Sequence, residues 1–570
     1  MRKLPTGISD YKEIVEKKYS YIDKTLLIEE VLLLGAKVIL IPRPRRFGKT
    51  MNLSMLRYFF EKTDQDQSYL FQDYKIWKTE HRKEQGQYPV IFLSLKGIKT
   101  SSWEEALKEL KLLISSEFEK YQFLLTALFP DPLPIGKQKG DPLLSDTEKE
   151  LFLLILNRRG DASIFKNSLK MLTLWLHRYY QKKTVVLIDE YDTPIHAAYI
   201  NSFYDPMIEF MRGWLGEGLK DNPYLEKAVL TGILRIAKES IFSGLNNLGC
   251  YTVLDEKFCD KFGLLEDEVS SLLQEHGVSH QMAEIRTWYN GYRIGTSSLY
   301  NPWSILECIQ RNGELRPYWV GTSDNELIKR LLIQGTPSMK QDMEKLLLGE
   351  PITKPIDEGT SLKDLHNNPD AVFGLFLFSG YLTLKSKPVY KNKALQCEIT
   401  IPNKEIQDLY ESLITEWITS TIPNRNLPAL LQSLTEGNIE VFTELLQMII
   451  INSMSFYDAI ENEPERVYHA FVLGLLVALE ETHEVKSNRE SGFGRYDVCV
   501  IPKDRSLLGI VIEFKKVRTE KELKKGALDA LHQIEKQNYV AEIRQLGIQK
   551  ILLLGIAFHG KRISIKELVK

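Results

Sequence analysis

The hydrophobic residues in the first part of the chain cluster in short runs. The runs cover residues 38–41, 89–95, 184–188 and 228–231. Between the runs the apolar positions have helical spacing, as with Leu53, Leu56 and Phe60 after the first run. Strands that are apolar on both faces and alternate with helices predict a parallel α/β sheet.

The pattern changes after this first part, which we expect to form a domain over residues 1–257. Helical stretches dominate from there on, and two short apolar runs, 376–384 and 397–401, predict strands among them. This pattern predicts a mostly helical lid or winged region over residues 258–460.

Four aromatic residues of this region, Trp288, Tyr289, Tyr292 and Trp303, lie close together in the sequence. We interpret them as buried packing of the lid. Stacking on a nucleobase is the alternative interpretation.

The last part of the chain returns to a strand pattern. The predicted elements are a helix, two strands, a helix and a strand, over residues 468–479, 496–501, 507–514, 520–541 and 550–554. This αββαβ order predicts a separate compact domain over residues 461–570.

Size, charge and cysteine content narrow the possible classes of protein. A chain of 570 residues is too long for a single core. The formal net charge of -2 excludes a globally basic nucleic-acid binder but leaves room for a local basic groove. The five cysteines form no C-x-x-C pair, which argues against a zinc site or a disulfide framework. With no apolar run long enough to span a bilayer, we expect a soluble, cytoplasmic protein without a membrane partner.

The loop after the first apolar run has the composition of a phosphate-binding loop. Such a loop needs inward-facing backbone N–H groups, a lysine for the β- and γ-phosphates and a hydroxyl for Mg²⁺. The last two come from Lys49 and Thr50, between a predicted strand and a predicted helix. The predicted loop residues are Arg46, Phe47, Gly48, Lys49 and Thr50, and the predicted cofactors are ATP and Mg²⁺.

The same loop departs from the usual pattern at two positions. Arg43 stands where glycine is usual, five residues before Gly48, and Pro44 removes a backbone donor. The loop alone is therefore an imperfect match.

A second group of residues completes the predicted nucleotide site. The third apolar run ends in Asp189, which we expect to hold Mg²⁺ with Thr50, and in Glu190, which would polarise the attacking water. The fourth run ends at Thr231, a candidate polar sensor, and Arg235 is the nearest arginine for stabilising transition-state charge. The alternative interpretation makes the two acids a helix N-cap and Arg235 a surface residue.

Two predicted strands of the C-terminal domain carry residues suited to phosphodiester cleavage. Side chains two apart on a strand share a face, so Glu513 and Lys515 point together, and Asp497 lies a hairpin away. We predict that Asp497 and Glu513 bind Mg²⁺ or Mn²⁺ and that Lys515 orients or deprotonates water. Gln533, on the following helix, would contact the metal-bound water or DNA.

Further residues of this domain support the prediction less strongly. One more acid is expected from the first helix region, with Glu465 the better candidate and Glu484 the weaker. Local basicity for a phosphate backbone comes from Arg489, Arg495, Lys516, Arg518, Lys521, Lys524 and Lys525. A strand that ends in E-x-K by chance is common, and it is the αββαβ context that favours a nuclease site.

Taken together, the motifs resemble a bacterial family of AAA-like ATPases fused to a PD-(D/E)XK nuclease. The residues that carry the resemblance are 4–10, 21–25, 43–50, 187–192, 300–304, 322–324, 486–497 and 513–515. It spans nearly the whole chain and makes the altered phosphate loop a family trait. It implies a P-loop NTPase sheet with a mostly helical lid, followed by a restriction-endonuclease-like domain.

The leading hypothesis is an enzyme that cleaves nucleic acid, in the first place DNA, under the control of ATP, in genome defence or the control of mobile elements. The alternative is a nucleotide-dependent switch or scaffold whose nuclease-like domain only binds DNA or a protein partner. A third hypothesis, ATP-driven translocation along DNA, predicts a ring-shaped homo-oligomer, and no clear arginine finger supports it.

Overall fold

A computed structural model provides the structure of the chain. It describes residues 2–234, 248–319, 326–333, 337–347, 349–359, 362–366, 368–391, 393–421, 426–453, 472, 475–476, 479, 482–487, 490–491, 494–495, 497–537 and 540–570. The chain divides into two compact units. Unit 1 comprises residues 1–331 and 351–407, and unit 2 comprises residues 332–350 and 408–570. The division into three domains at residues 257 and 460 stays a prediction.

The helices of the described residues are numbered in chain order. They are α1 (Tyr11–Glu16), α2 (Leu26–Leu33), α3 (Lys49–Phe60), α4 (Trp103–Glu119), α5 (Asp146–Leu156), α6 (Ala162–Tyr180), α7 (Thr193–Ile200), α8 (Tyr204–Leu219), α9 (Glu266–Glu275), α10 (Met282–Tyr289), α11 (Pro302–Gln310), α12 (Glu326–Ile333), α13 (Pro337–Leu347), α14 (Pro369–Ser379), α15 (Lys404–Thr421), α16 (Asn426–Thr435), α17 (Ile439–Ser453), α18 (Leu523–Gln537) and α19 (Val540–Gln545).

The strands are numbered in the same way. They are β1 (Val38–Pro42), β2 (Val90–Ser94), β3 (Thr184–Asp189), β4 (Leu225–Gly232), β5 (Leu248–Cys250), β6 (Tyr292–Ile294), β7 (Ser297–Leu299), β8 (Ile352–Ile356), β9 (Thr383–Leu384), β10 (Val389–Lys391), β11 (Ala394–Thr400), β12 (His483–Ser487), β13 (Glu490–Ser491), β14 (Gly494–Arg495), β15 (Val498–Pro502), β16 (Gly509–Lys516), β17 (Ile551–His559) and β18 (Arg562–Val569).

A five-stranded parallel sheet is the centre of unit 1. Its order is β2-β3-β4-β1-β5, and the four predicted strands β1 to β4 are all present. Every residue of β1 and β3 is buried, as expected for central parallel strands covered on both faces. The carboxyl ends of β1, β3 and β4 therefore lie side by side at one edge, where open α/β sheets bind their ligands. The parallel α/β fold is confirmed.

The region after the large sheet is mostly helical, as predicted, with a small sheet in the order β10-β11-β8. The predicted strand 397–401 corresponds to β11. The predicted strand 376–384 is wrong over most of its length, because α14 occupies Pro369–Ser379 and only β9 is extended. Asn368 caps α14, and Gly380 ends it in the left-handed conformation. Since α14 is buried on all sides, its apolar run has no helical periodicity to read.

Unit 2 contains a five-stranded mixed sheet in the order β12-β15-β16-β17-β18. The predicted strands 496–501, 507–514 and 550–554 correspond to β15, β16 and β17, and the predicted helix 520–541 corresponds mainly to α18. Most of the predicted helix 468–479 lies outside the described residues. Strands β12 and β18 extend the sheet at its two edges. Alternate residues of β15 and β16 enter two hydrophobic clusters on opposite faces. Val498 and Ile512 pack with α16 and α17, whereas Cys499 and Val511 pack with α18 and α19. Glu513 follows Ile512 in the chain and so belongs to the face covered by α18.

Residues 131–142 lie in an irregular connection before α5. Ile135 at its tip is fully exposed. None of the described helices combines the length and the apolar character needed to cross a bilayer.

Candidate functional sites

The first candidate site begins where β1 passes into α3. Gly48, the residue before α3, has φ +79°, and Arg46 has φ +66°. A left-handed backbone is common for glycine but uncommon for arginine, so the loop has an unusual backbone conformation at Arg46. The first turn of any α-helix leaves backbone N–H groups without intrahelical partners, and α3 therefore begins with donors suited to phosphate.

Lys49 is the first residue of α3 and is almost completely buried. Its ammonium donates hydrogen bonds to the carbonyl oxygens of Arg43, at 3.2 Å, and Pro44, at 3.0 Å, within its own loop. Burial lowers the pKa of Lys49, while Glu190 and Asp189 act in the opposite sense. The lysine is thus held by neutral carbonyls that a phosphate anion would replace favourably.

Thr50, Asp189 and Thr231 form one hydrogen-bonded group that joins the start of α3 to the ends of β3 and β4. The hydroxyl of Thr50 donates to Asp189 Oδ2 at 2.6 Å, and the hydroxyl of Thr231 donates to Asp189 Oδ1 at 2.7 Å. Both Asp189 and Thr231 are fully buried. The structure therefore brings together three residues that the sequence assigned to the nucleotide site, and hard oxygen donors of this kind suit Mg²⁺.

Arg43, which replaces the usual glycine, is a buried structural residue. Its guanidinium donates to the carbonyl oxygens of Pro42 and Tyr251, both at 2.8 Å, and of Phe258 at 3.2 Å. It also lies 5.3 Å from the ring centre of Phe262. Burial lowers the pKa of Arg43 to about 10. The arginine ties the end of β1 to the segment that follows β5, a task that glycine could not perform.

Glu190 directly follows β3 and has φ +50°. Its Oε2 accepts a hydrogen bond from the hydroxyl of Thr193 at 3.2 Å. Strained backbone of this kind persists only when its surroundings enforce it, and it is often found at functional sites. Glu190 lines the same cavity as Lys49 and Thr50.

Asp192 was not assigned a role from the sequence, although it belongs to the same acidic motif. It is buried and accepts hydrogen bonds from the backbone N–H groups of Ile233 at 2.8 Å and Leu234 at 3.0 Å. His196 Nε2 lies 3.6 Å from its Oδ2. Burial opposes ionisation of Asp192, but these donors keep the pKa of its carboxyl below the ordinary value. Asp192 thereby fixes the chain just after Thr231.

A cavity of about 590 Å³ opens beside the phosphate loop, within the range of nucleotide-sized sites. One part of its wall is charged and the other is mainly apolar. The charged part is formed by Lys24, Arg45, Arg46, Lys49, Lys96, Lys99, Lys261, Glu190 and Asp192. The apolar part includes Pro5, Ile8, Ile22, Leu264, Leu272 and Trp303. The excess of cations favours a polyanionic ligand that also has an apolar portion.

Two predicted loop residues lie against aromatic residues of the predicted lid. The guanidinium carbon of Arg46 is 4.3 Å from the ring centre of Trp303. Phe47 is buried and packs edge-on against Tyr292, with the ring centres 5.1 Å apart. The predicted aromatic cluster is therefore packed in part, with Tyr289 and Tyr292 buried, but Trp303 also lines the cavity. Arg235 lies outside the described residues.

The second candidate site lies in unit 2, at the end of the β15–β16 pair where Val498 pairs with Ile512, opposite the turn that joins the two strands. Asp497 Oδ2 accepts the backbone N–H of Phe514 at 2.8 Å, and Glu513 Oε2 accepts the backbone N–H of Asp497 at 3.4 Å. Gln533, on α18, donates its side-chain N–H to Glu513 Oε1. The structure thus brings together Asp497, Glu513 and Gln533, and Lys515 lies on the same face of β16 as Glu513.

The weaker acidic candidates do not join this group in the described structure. Glu484 pairs with Ile501, three residues along β15 from Val498, and its largely exposed carboxylate lies 3.5 Å from Lys486. Glu465 and Arg489 lie outside the described residues. Within the part of the chain that the structure describes, no three His, Cys, Asp or Glu side chains are placed to hold one metal ion.

Two family models match the chain, one in each of the regions that hold the candidate sites. Residues 5–242 match the family model described as "Predicted AAA-ATPase", and residues 463–568 match that of the PD-(D/E)XK nuclease superfamily. A protein of Azotobacter chroococcum mcd 1, described as "Uncharacterized protein in vnfD 5'region", is 26% identical over 586 residues, covering 98% of this chain and 96% of the relative. A solved structure, the Walker-type ATPase PABY2304 of Pyrococcus abyssi, covers 72% of this chain and 98% of its own at 15% identity, with a TM-score of 0.35.

The chain therefore joins a domain of the AAA-ATPase-like class to a C-terminal domain of the PD-(D/E)XK nuclease superfamily. This result confirms the resemblance seen in the sequence motifs. The roles of the individual residues stay predictions.

Proposed function

We propose that the protein is an ATP-hydrolysing, metal-dependent nuclease that cleaves DNA under nucleotide control. The observation that carries the proposal is the hydrogen-bonded grouping of Asp497, Glu513 and Gln533 at one end of the β15–β16 pair. Lys515 lies on the same face of β16 as Glu513. Carboxylate oxygens are the donors that Mg²⁺ and Mn²⁺ prefer, so Asp497 and Glu513 fit as ligands. A divalent ion held there would stabilise negative charge on the scissile phosphate.

The protein side chains at this site divide the remaining work. Lys515 orients the attacking water and offsets the charge of the phosphate. Gln533 acts as a positioning residue, because its hydrogen bond fixes the rotamer of the Glu513 carboxylate. The two backbone N–H groups that bond to Asp497 and Glu513 hold these carboxylates in place.

At the nucleotide site, ATP would take the place of the loop carbonyls as the acceptor for Lys49. Thr50 and Asp189 fit as holders of Mg²⁺, which neutralises phosphate charge when bound. Glu190 would polarise the attacking water, and Thr231, which is hydrogen-bonded to Asp189, would act as a polar sensor of the bound nucleotide. The apolar part of the cavity accommodates the base and ribose.

A chain of contacts within unit 1 supports nucleotide control. Arg46 stacks on Trp303, and the next residue, Ser304, donates its hydroxyl to both carboxylate oxygens of Glu405, at 2.9 and 3.1 Å. The backbone N–H of Trp319 donates to the same carboxylate at 2.7 Å. Glu405 is completely buried.

Glu405 lies close to the point where the chain passes from unit 1 to unit 2. It is the second residue of α15, and the same helix passes from unit 1 into unit 2 after Gln407. A change at Arg46 on nucleotide binding would thus reach the start of the connecting helix through directly contacting groups. The biological setting we propose for such an enzyme is genome defence or the control of mobile elements.

The test of the nuclease proposal is a cleavage assay on purified protein with Mg²⁺ or Mn²⁺, using single- and double-stranded DNA and RNA. The proposal predicts cleavage that EDTA abolishes and that Asp497→Ala and Lys515→Ala each reduce to background. Cleavage that is equal in the wild type and both variants, or no cleavage of any substrate, would refute it. ATP binding without metal-dependent cleavage would favour the switch or scaffold instead.

A further inference from the structure

Asn52 is a buried polar residue of α3 in the wall of the cavity beside the phosphate loop. Asn52 is only 1% exposed, and its side-chain Nδ2 donates a hydrogen bond to the carbonyl oxygen of Lys261 at 2.9 Å. Because a carbonyl oxygen can only accept, this contact fixes the orientation of the amide group. The Oδ1 atom of Asn52 is therefore an acceptor with a defined position.

The acceptor atom of this amide is buried without a donor. Within the part of the chain that the structure describes, Asn52 Oδ1 accepts no hydrogen bond. Most buried polar atoms in native proteins have a partner, because a buried acceptor without one loses the free energy of its hydration. An unpaired acceptor in the wall of a ligand cavity is therefore suited to a donor that a ligand or a bound water supplies.

The position of Asn52 on its helix places it beyond the phosphate end of the cavity. Its backbone N–H donates to Gly48 O at 3.0 Å, so it lies one helical turn, about 5 Å, further along α3 than the residue that precedes the helix. Its partner Lys261 is three residues before Leu264, which belongs to the apolar part of the cavity wall. Asn52 thus lies between the phosphate loop and the part of the wall that suits a base.

The cations near Asn52 are paired with carboxylates. Lys24 Nζ lies 2.6 Å from Glu268 Oε1 and donates to the carbonyl oxygen of Asp260 at 2.9 Å. Lys261 Nζ lies 2.9 Å from Asp260 Oδ1 and 3.1 Å from Glu30 Oε1. A carboxylate beside a cation offsets its attraction for phosphate, whereas the lysine of the phosphate loop is held by neutral carbonyls. This end of the cavity therefore suits the uncharged base better than the phosphates.

We propose that Asn52 determines the base specificity of the nucleotide site, with its Oδ1 accepting a hydrogen bond from the exocyclic amine at C6 of adenine. A purine with an oxo group at C6 would bring a second acceptor against Oδ1 and leave both atoms unpaired. A site that hydrogen-bonds one group of its ligand rejects an analogue that lacks this group. The inference rests on the proposed function, in which ATP occupies the cavity, and adds a residue that distinguishes ATP from other nucleoside triphosphates.

The test is the binding of three nucleotides to the full-length protein with Mg²⁺, measured by isothermal titration. The nucleotides are ATP, inosine triphosphate, which has an oxo group at C6, and purine riboside triphosphate, which has only hydrogen there. The test variants are Asn52→Leu, which keeps the size of the side chain, and Asn52→Ala, in case leucine does not fit. Thermal unfolding checks that every variant is folded.

Two controls separate base recognition from other effects. Ser54→Ala removes a different buried polar group of α3, the hydroxyl that accepts the backbone N–H of Tyr11 at 3.0 Å. It matches the loss of a polar contact in the same helix and should leave the preference for ATP unchanged. Lys49→Ala removes a contact to phosphate, so it should weaken the binding of all three nucleotides by a similar factor.

The wild type should bind ATP about 10- to 100-fold more tightly than inosine triphosphate, with purine riboside triphosphate between them. Both Asn52 variants should lose affinity for ATP and little affinity for inosine triphosphate, so that the preference falls to about threefold or less. A bound water at Oδ1 would produce no such preference. Equal binding of ATP and inosine triphosphate by the wild type would overturn the inference whatever the variants do.

An undiminished preference for ATP in the folded Asn52 variants would also overturn it. In both of these cases ATP still binds, and the proposed nucleotide site stands without this role for Asn52. A wild type that binds none of the three nucleotides would refute the nucleotide site itself, and the inference with it. Failure of the inference alone is therefore distinguishable from failure of the proposed function.

Discussion

Thr50 donates its hydroxyl to Asp189 across 2.6 Å, although the two residues are 139 positions apart in the sequence. The contact joins the start of α3 to the end of β3 and places the two proposed Mg²⁺ holders together. Thr231 approaches the other oxygen of the same carboxylate from β4 at 2.7 Å. One carboxylate thus connects the phosphate loop with both strand ends that flank the proposed γ-phosphate position.

The first prediction separates nucleotide binding from hydrolysis. Lys49→Ala should weaken ATP binding by about 10- to 100-fold, because a charge-assisted contact to phosphate is lost. Glu190→Gln should leave binding close to wild type and lower turnover by about 100-fold or more. Isothermal titration and a phosphate-release assay measure the two effects, with Lys108→Ala, an exposed lysine of α4, as the control. Undiminished turnover in Glu190→Gln would remove that residue from the proposed chemistry.

The second prediction concerns the departure of the phosphate loop from the usual glycine. Arg43→Gly restores the common pattern, yet it should lower the free energy of unfolding by about 2–4 kcal/mol, since it leaves a cavity and buried carbonyls without donors. Arg43→Lys keeps the charge but loses the forked guanidinium, so it should fall between glycine and the wild type. Denaturant unfolding of unit 1 gives the values. A stable Arg43→Gly protein that binds ATP more tightly would contradict the structural role of the arginine.

The stability of the folded protein should depend on pH because of Asp192. Its pKa is lowered in the folded protein, so its ionised form adds stability that is complete above the pKa of an unfolded aspartate, about 3.9. That stability is lost as the pH falls through the lower folded value. Asp192→Asn should therefore melt below the wild type at neutral pH, with a difference that shrinks in acid. Melting temperatures measured from pH 7 down to pH 3 provide the check, and a difference that grows in acid would contradict this account.

Gln533 provides a test of positioning at the nuclease site. Gln533→Ala removes the hydrogen bond to Glu513 and should raise the Mg²⁺ concentration needed for half-maximal cleavage by about 10- to 100-fold. Cleavage at saturating Mg²⁺ should recover most of its rate. Glu484→Gln, on the neighbouring strand, is the control and should leave the Mg²⁺ dependence unchanged. A rate loss that Mg²⁺ does not restore would assign Gln533 a different role.

The contact between Ser304 and Glu405 predicts that the response of cleavage to ATP can be reduced while ATP turnover and basal cleavage remain. Ser304→Ala should preserve ATP turnover and basal cleavage but reduce the change in cleavage that ATP causes. Glu405→Gln, which retains acceptor capacity, should affect coupling less than Glu405→Ala. Cleavage rates with and without ATP measure this effect, and an unaltered ATP response in Ser304→Ala would exclude this path.

The sequence predicts the parallel sheet well because β1 is apolar throughout and β3 is apolar between Thr184 and Asp189, in runs of strand length that alternate with helical stretches. The run around residue 376 misleads for a related reason: α14 is buried on every side, so its composition resembles that of a buried strand. Only Asn368 and Gly380 at its ends reveal the helix. Likewise, β5 (Leu248–Cys250) is short and only half-buried, so its sequence has no distinct strand pattern.

The candidate sites likewise combine features that the sequence predicts with features that only the structure reveals. The proximity of Asp497 and Glu513 follows from strand alternation and a short hairpin, which are local in sequence. The role of Arg43 depends on the carbonyl oxygens of Tyr251 and Phe258, more than 200 residues away, and no local pattern indicates it. Asp192 belongs to the same acidic motif as Asp189, but only the fold reveals that it holds the backbone after Thr231.

The central claim is that nucleotide at Lys49 controls cleavage at Glu513. The most direct measurement compares DNA cleavage by the wild type, Lys49→Ala and Asp497→Ala, each with and without ATP at saturating Mg²⁺. The account predicts that ATP changes the cleavage rate of the wild type, that Lys49→Ala cleaves at the nucleotide-free rate whether or not ATP is present, and that Asp497→Ala does not cleave at all. An ATP response that persists in Lys49→Ala, or wild-type cleavage that is the same with and without ATP, would contradict it.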